Sequence, residues 1–351
     1  MNLSLPTSLL NLAKTILLFL PTLVFGQQNL TTPQVSQAAT VTQQVGLSTI
    51  TITYHSPLAN GRKILGELVP YDAVWRAGAN ENTTIELSTD CKVEGKSLPA
   101  GKYGLHMIPK QNEWTIIFSK NSAAWGSFFY KDSEDALRVT VKAQTAPAQN
   151  WLSYSFADPK AESAVVQLHW DQFMVPFKVT FDVPEIAYQS MSKELTGLGG
   201  FFWQGYNQGA QYLYRNKIHM DQASQWADKS IEIQKTFPNL QLKAKMLDAK
   251  GNKEMAANLR TESLTLGDEA QINAYGYELI AAKNYAEANQ IFAMNVKKFP
   301  NSWNAYDSLG EAQIEQGNKK DGLANYKKAL SKAPDAQKSR IEGIIKHIEA
   351  K

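Results

Sequence analysis

Cysteine is nearly absent: Cys91 is the only one in 351 residues. An internal disulfide is therefore excluded, and stability has to come from packed cores. Basic runs are missing too. The formal charge is only +3 and the lysines and arginines are dispersed, so the basic stripe of a nucleic-acid surface is absent. There is no Walker loop, no glycine-rich dinucleotide fingerprint and no Gly-x-Ser-x-Gly elbow. Each absence removes a sequence ground for a particular chemistry. Beyond Phe25 no apolar run is long enough to cross a bilayer. No cofactor and no metal site is expected.

What is present begins at the amino terminus. Lys14 precedes the uncharged apolar run Thr15 to Phe25, and Val24 and Gly26 occupy the small-residue positions of a cleavage site. Residues 1–26 are expected to be a signal peptide, giving a mature chain from Gln27 that is periplasmic or secreted. Residues 27–45 are rich in Gln, Thr and Ser and are expected to be a linker or leader strand.

From Leu47 to Tyr54 the sequence alternates, with Ile50, Ile52 and Tyr54 on one face and Thr49, Thr51 and Thr53 on the other. That is the period of a half-buried strand. The period returns at 84–88, 103–108, 114–119, 137–142, 151–156, 164–170 and 177–183, with turn residues between. Strands at this spacing without helices between them predict an antiparallel β-sandwich or jelly-roll-like domain over 46–185. Residues 186–200 are expected to be a linker, with the glycines of 197–205 as a hinge.

After that the period becomes helical. Tyr306, Leu309, Gly310, Gly317, Tyr326, Ala329 and Pro334 fall at the signature positions of a tetratricopeptide repeat. One repeat length upstream stand Gly276, Phe292 and Pro300, with Ala288 in the place of Gly322. Residues 201–351 are therefore expected to be tetratricopeptide-like helical repeats, opening on an atypical pair and closing on a solvating helix. On the first helices, Asn273, Tyr277, Asn304, Asp307 and Glu311 are expected to line a groove for a protein partner. The two carboxylates would give that groove a negative end and favour a basic segment.

The β half also holds the segments GRKILGELVPYDAVWRAGANENTTI (61–85), LPAGKYGLHMIP (98–109), EWTIIFSK (113–120), WGSF (125–128), LRVTV (137–141) and VPF (175–177). Through these it resembles, over roughly residues 45–183, a bacterial family known as domain of unknown function 2911. His55 and His106 depart from its pattern. The resemblance implies an exported protein and supplies no activity.

The candidate site is the segment WRAGANENTT. Gly78 and Asn80 suit a tight left-handed turn, and Arg76 would pair with Glu81 or Asp72. The polar groups exceed what one turn needs, so the turn is expected to double as the rim of a cleft. Its ligand-binding residues would be Tyr71, Trp75, Arg76, Asn80, Glu81 and Trp125, holding a small polar molecule or glycan. The three histidines of the β half, His55, His106 and His169, lack ligand spacing. The acidic loop 131–136 lacks the central glycine of a calcium loop. The expected function is an exported, non-catalytic binding protein. The alternative is a hydrolase of polar substrates, with Glu81 as acid or base and Arg76 stabilising negative charge. A histidine or second carboxylate beside Glu81 in a deep pocket would favour the enzyme.

Overall fold

The structure is a computed structural model that describes residues 32–111 and 113–350. The signal-peptide reading of residues 1–26 lies outside the described residues. Ten strands come first: β1 (Gln37–Val45), β2 (Ser48–Ser56), β3 (Thr84–Leu87), β4 (Cys91–Val93) and β5 (Lys96–Leu98). They continue with β6 (Gly101–Ile108), β7 (Trp114–Ser119), β8 (Asp135–Val141), β9 (Gln144–Lys160) and β10 (Ser163–Thr180). One antiparallel sheet runs β1-β2-β3-β6-β7-β8 and the other β5-β4-β10-β9. Neither closes into a barrel. They share one core, so the domain is a β-sandwich.

The alternation read from the sequence sets the inward faces. Ile50, Ile52 and Tyr54 are buried while Thr49, Thr51 and Thr53 are not. Across the interface Phe118 of β7 meets Phe177 of β10 edge-on, with ring centroids 6.0 Å apart, and Trp114 lies 5.3 Å from Phe173. Buried aromatic pairs of this kind join the sheets.

Two local expectations need correction. Residues 164–170 and 177–183 form no separate strands: 163–180 is one strand, and 183 already belongs to a helix. Asp171, in a left-handed conformation at φ 48°, shifts the register. Buried positions consequently change from even numbers up to Trp170 to odd numbers from Phe173. At each shift flanking Asp171 the β9 strand advances four residues against two of β10, and neither strand ends there.

The expected linker at 186–200 is largely helical, because α1 spans Val183–Glu194. The Asp182 side chain accepts from the Glu185 backbone N–H and Pro184 occupies the first turn. These are helix-start signals that a strand reading through residue 183 hides. Val183 and Ile186 pack on the sandwich core, whereas Tyr188, Met191 and Leu195 pack on the first helical cluster. The glycines that follow sit in a tight 3-10 turn at Leu198–Phe201, where Gly205 approaches the Gly199 carbonyl closely.

Four helix pairs follow: α2 (Trp203–Asn216) with α3 (Met220–Ile233), then α4 (Phe237–Ala249) with α5 (Lys253–Leu266). The next are α6 (Glu269–Ala281) with α7 (Tyr285–Lys298), and α8 (Trp303–Glu315) with α9 (Lys319–Lys332). The signature residues now have a physical role. A Cβ on Gly276 would collide with the buried Phe292 ring, and one on Gly310 would come within 3.1 Å of the Gly322 carbonyl and of Tyr326. Small residues there let the paired helices touch. The last helix, α10 (Asp335–Ala350), buries Ile341, Ile345 and Ile348 against Tyr326 and Ala329. It covers the apolar end that a repeat stack otherwise exposes.

Candidate functional site

The segment after β2 returns to the sheet through Trp75, whose backbone N–H and C=O both pair with Met107, at 2.8 Å each. The chain then turns sharply. Gly78 is not the left-handed residue; Ala77 is, at φ 51°, together with Asn80 at φ 54°. Gly78 is needed for space, since a Cβ there would lie 2.5 Å from Thr83 Oγ1 and 3.3 Å from the His55 carbonyl. A left-handed alanine costs on the order of 1 kcal/mol. It is held by the buried Tyr154 hydroxyl, which donates to the Ala77 carbonyl at 2.9 Å, and by Thr83 Oγ1 at 3.3 Å.

This turn forms one wall of a cleft of about 330 Å³. Trp75, Arg76, Gly78 and Ala79 line it from the turn, and Trp170 lines it from β10. The indoles of Trp75 and Trp170 stack, 6.0 Å apart and 19° from parallel. Leu58, Arg62, Leu68 and Val69 also line it, together with Val35 and Ser36 of the segment before β1. Arg62 is held by Nε donating to the Ala59 carbonyl at 3.0 Å and by Nη2 donating to the Leu58 carbonyl.

The expected site residues divide. Trp75 and Arg76 line the cleft; Tyr71, Asn80, Glu81 and Trp125 are not among its lining. Tyr71 packs against Gly66, and Trp125 is exposed on the loop after β7. Asn80 Nδ2 donates to Gln34 Oε1 at 2.8 Å and to the Ser36 carbonyl at 3.2 Å, tying down the segment that edges the cleft. Arg76 pairs with neither Asp72 nor Glu81. Its Nη1 donates to the Asn80 carbonyl at 2.7 Å, and its guanidinium lies beneath Gly126 and 6.0 Å from the Phe128 ring. Closing a five-residue turn onto its own carbonyl brings Arg76 to a backbone acceptor before any carboxylate.

Glu81 instead faces His55, whose Nε2 is 3.1 Å from Oε2 in a contact poorly aligned for a hydrogen bond. Its own backbone N–H holds the carboxyl below its usual pKa; burial opposes this, and Gln34 and His55 add to it. A general acid needs the opposite shift. Glu81 thus has a histidine neighbour, but outside the cleft.

A second cluster was not legible in the sequence. His106 is fully buried, with Nδ1 3.1 Å from Ser127 Oγ. Burial pushes its pKa down to about 4, against the opposing pull of Asp135. The Tyr130 ring packs beside it at 5.3 Å. Arg138 and Tyr130 both donate to Asp135. These residues anchor the loop that lies over Arg76. His169 is elsewhere, with Nε2 2.9 Å from the Pro147 carbonyl. Among the described residues no group of three His, Cys, Asp or Glu side chains is placed to hold a metal. The Cys91 thiol is buried, which pushes its pKa up to about 12.

In the repeats, Tyr277 donates to Glu311 at 2.6 Å while its oxygen lies 3.2 Å from Ser308 Oγ, and Asn304 donates to Glu269 at 3.1 Å. Asn273 is half-buried with its Oδ1 unpaired. Asp307 corrects the expectation of an open acidic end. It is buried, and Arg340 of α10 donates to it at 2.9 Å. The terminal helix supplies a cation that repeat register alone does not reveal. A groove of about 470 Å³ lies instead over α2, α4 and α6. Tyr214, Arg215, Phe237, Gln241, Lys245 and Glu278 are among the residues that line it.

Residues 36–179 match the family described as protein of unknown function (DUF2911). The DUF2911 region therefore contains the whole cleft except Val35. No curated protein matches the chain. Solved structures similar to it include YrrB, a TPR protein with an unusual peptide-binding site. It is 17% identical, over 43% of this chain and 79% of that one, with a TM-score of 0.28. MamA from Desulfovibrio magneticus RS-1 is 18% identical over 44% of this chain and 85% of that one, with a TM-score of 0.29. Cut9-Hcn1 of the APC/C is 14% identical over 42% of this chain, with a TM-score of 0.29, and this chain covers only 28% of that one. The repeat character here rests on the helix pairing and small-residue contacts described above. Stacked repeats of this kind suggest protein–protein interaction. Among the described residues no helix is long and apolar enough to cross a membrane.

Proposed function

We propose that the chain is an exported binding protein with two surfaces: the DUF2911 cleft for a small polar ligand and the helical repeats for a protein partner. The observation that carries this reading is the cleft beside Trp75 and Arg76, built on a left-handed Ala77 that buried hydrogen bonds hold in place. Strain of this kind persists where the surroundings fix it, often at ligand clamps. At about 330 Å³ the cleft suits one small molecule rather than an extended glycan. The hydrolase alternative is less well served, because the Glu81 carboxyl is held low and lies outside the cleft. Export is supported by the amino-terminal sequence pattern.

The test is a thermal-shift screen of small acids, amides, amines and sugars against the wild type and Ala79→Phe, which puts a ring into the cleft. A ligand present at about 100 times its Kd adds about 2.7 kcal/mol to stability. Compounds that raise the melting temperature of the wild type should leave Ala79→Phe unmoved, although that variant melts cooperatively when unliganded. Equal shifts in both proteins, or none in either, reject the cleft as a ligand site.

A further inference from the structure

The charges of the cleft are of one sign. Arg62 and Arg76 both line it, and no Asp or Glu does. Neither guanidinium has a carboxylate partner among the described residues: each is held by backbone carbonyls alone. A guanidinium carries five N–H donors. Arg76 gives one to protein and Arg62 gives two from its side chain, so both retain donors. The rest of the lining mixes apolar Leu58, Leu68, Val69 and Trp75 with the uncharged polar residues Ser36 and Asn60.

Two cations without counter-charge, beside the Trp75 indole, select against amines and gain little from neutral molecules. We infer that the ligand of this cleft is a small organic anion: a carboxylate or similar acid group held between Arg62 and Arg76, with an apolar body against Trp75. This inference rests on the ligand-site reading above and specifies its chemistry. A guanidinium matches a carboxylate with two parallel hydrogen bonds, which are stronger than neutral ones. Both arginines are partly open to water, so binding weakens as salt rises.

Three probes of one shape separate the possibilities: phenylacetate, phenylacetamide and phenethylamine, titrated by ligand-observed NMR into the protein spanning residues 27–351. Phenylacetate should bind at least about tenfold tighter than the amide, as expected for a charge-assisted bond, and the amine weakest of all. Arg62→Gln and Arg76→Gln should each weaken phenylacetate by about tenfold. Lys63→Gln, beside the cleft but not lining it, should leave it unchanged. If the amide binds as tightly as the acid, the anion inference fails while the ligand site stands. If no probe binds, or phenylacetate binds Ala79→Phe as well as the wild type, the site itself is wrong.

Discussion

Lowering the pH from 7 to 4 is expected to cost the protein about 3 kcal/mol through His106 alone. The imidazole is fully buried and its pKa is depressed to about 4, against roughly 6.5 in an unfolded chain. Between those values the unfolded state binds the proton and the folded state does not. The stabilisation is therefore complete above the unfolded value and is lost as pH falls toward the folded one. Asp135 opposes the depression without cancelling it. Urea unfolding of wild type and His106→Gln at pH 7.5 and pH 4.5 isolates the effect, because the carboxylates titrate in both proteins. The variant should lose markedly less stability on acidification. Parallel losses would mean that His106 is hydrated or protonated in the folded state.

Removing Arg340 should have the other large effect. Asp307 is buried, and burial raises its pKa while Arg340 lowers it. Without the guanidinium an uncompensated carboxylate remains under α10. The loss is expected to be about 1–2 kcal/mol at pH 7, below the full figure for a buried pair because Arg340 is nearly half exposed. The sign of the pH dependence is opposite to that of His106. A folded pKa raised above the unfolded value favours the protonated protein, so Arg340→Ala should be most destabilising at neutral pH and recover as the pH falls. Adding Asp307→Asn should restore most of the stability at pH 7. If Arg340→Ala is equally destabilising at pH 4.5 and 7.5, Asp307 is not the group responsible.

Both groups show where a linear reading ends. Alternation marked the inward faces of β2 and β10 because burial follows pleat and spacing. The repeat register marked Gly276 and Gly310 because helix contact needs small side chains at fixed offsets. The Asp171 bulge was hidden, since one left-handed residue changes the phase without adding a turn signal. Long-range pairing was hidden as well. Asp307 looked like a groove residue until α10 brought Arg340 to it, 33 positions away. The cleft was half legible. Arg76 stands out as part of a local polar surplus and Trp75 as an apolar wall beside it, whereas Arg62 and Trp170 join them only through the folding of separate segments. Arg62 lay inside the stretch 61–85 that carries the family resemblance, which was the one available signal for it.

The most direct measurement is a crystal structure of residues 27–351 grown with phenylacetate. The account predicts density in the cleft, with the carboxylate within hydrogen-bond distance of Arg62 and Arg76 and the ring against Trp75. An empty cleft, or the compound bound only elsewhere on the protein, would contradict it.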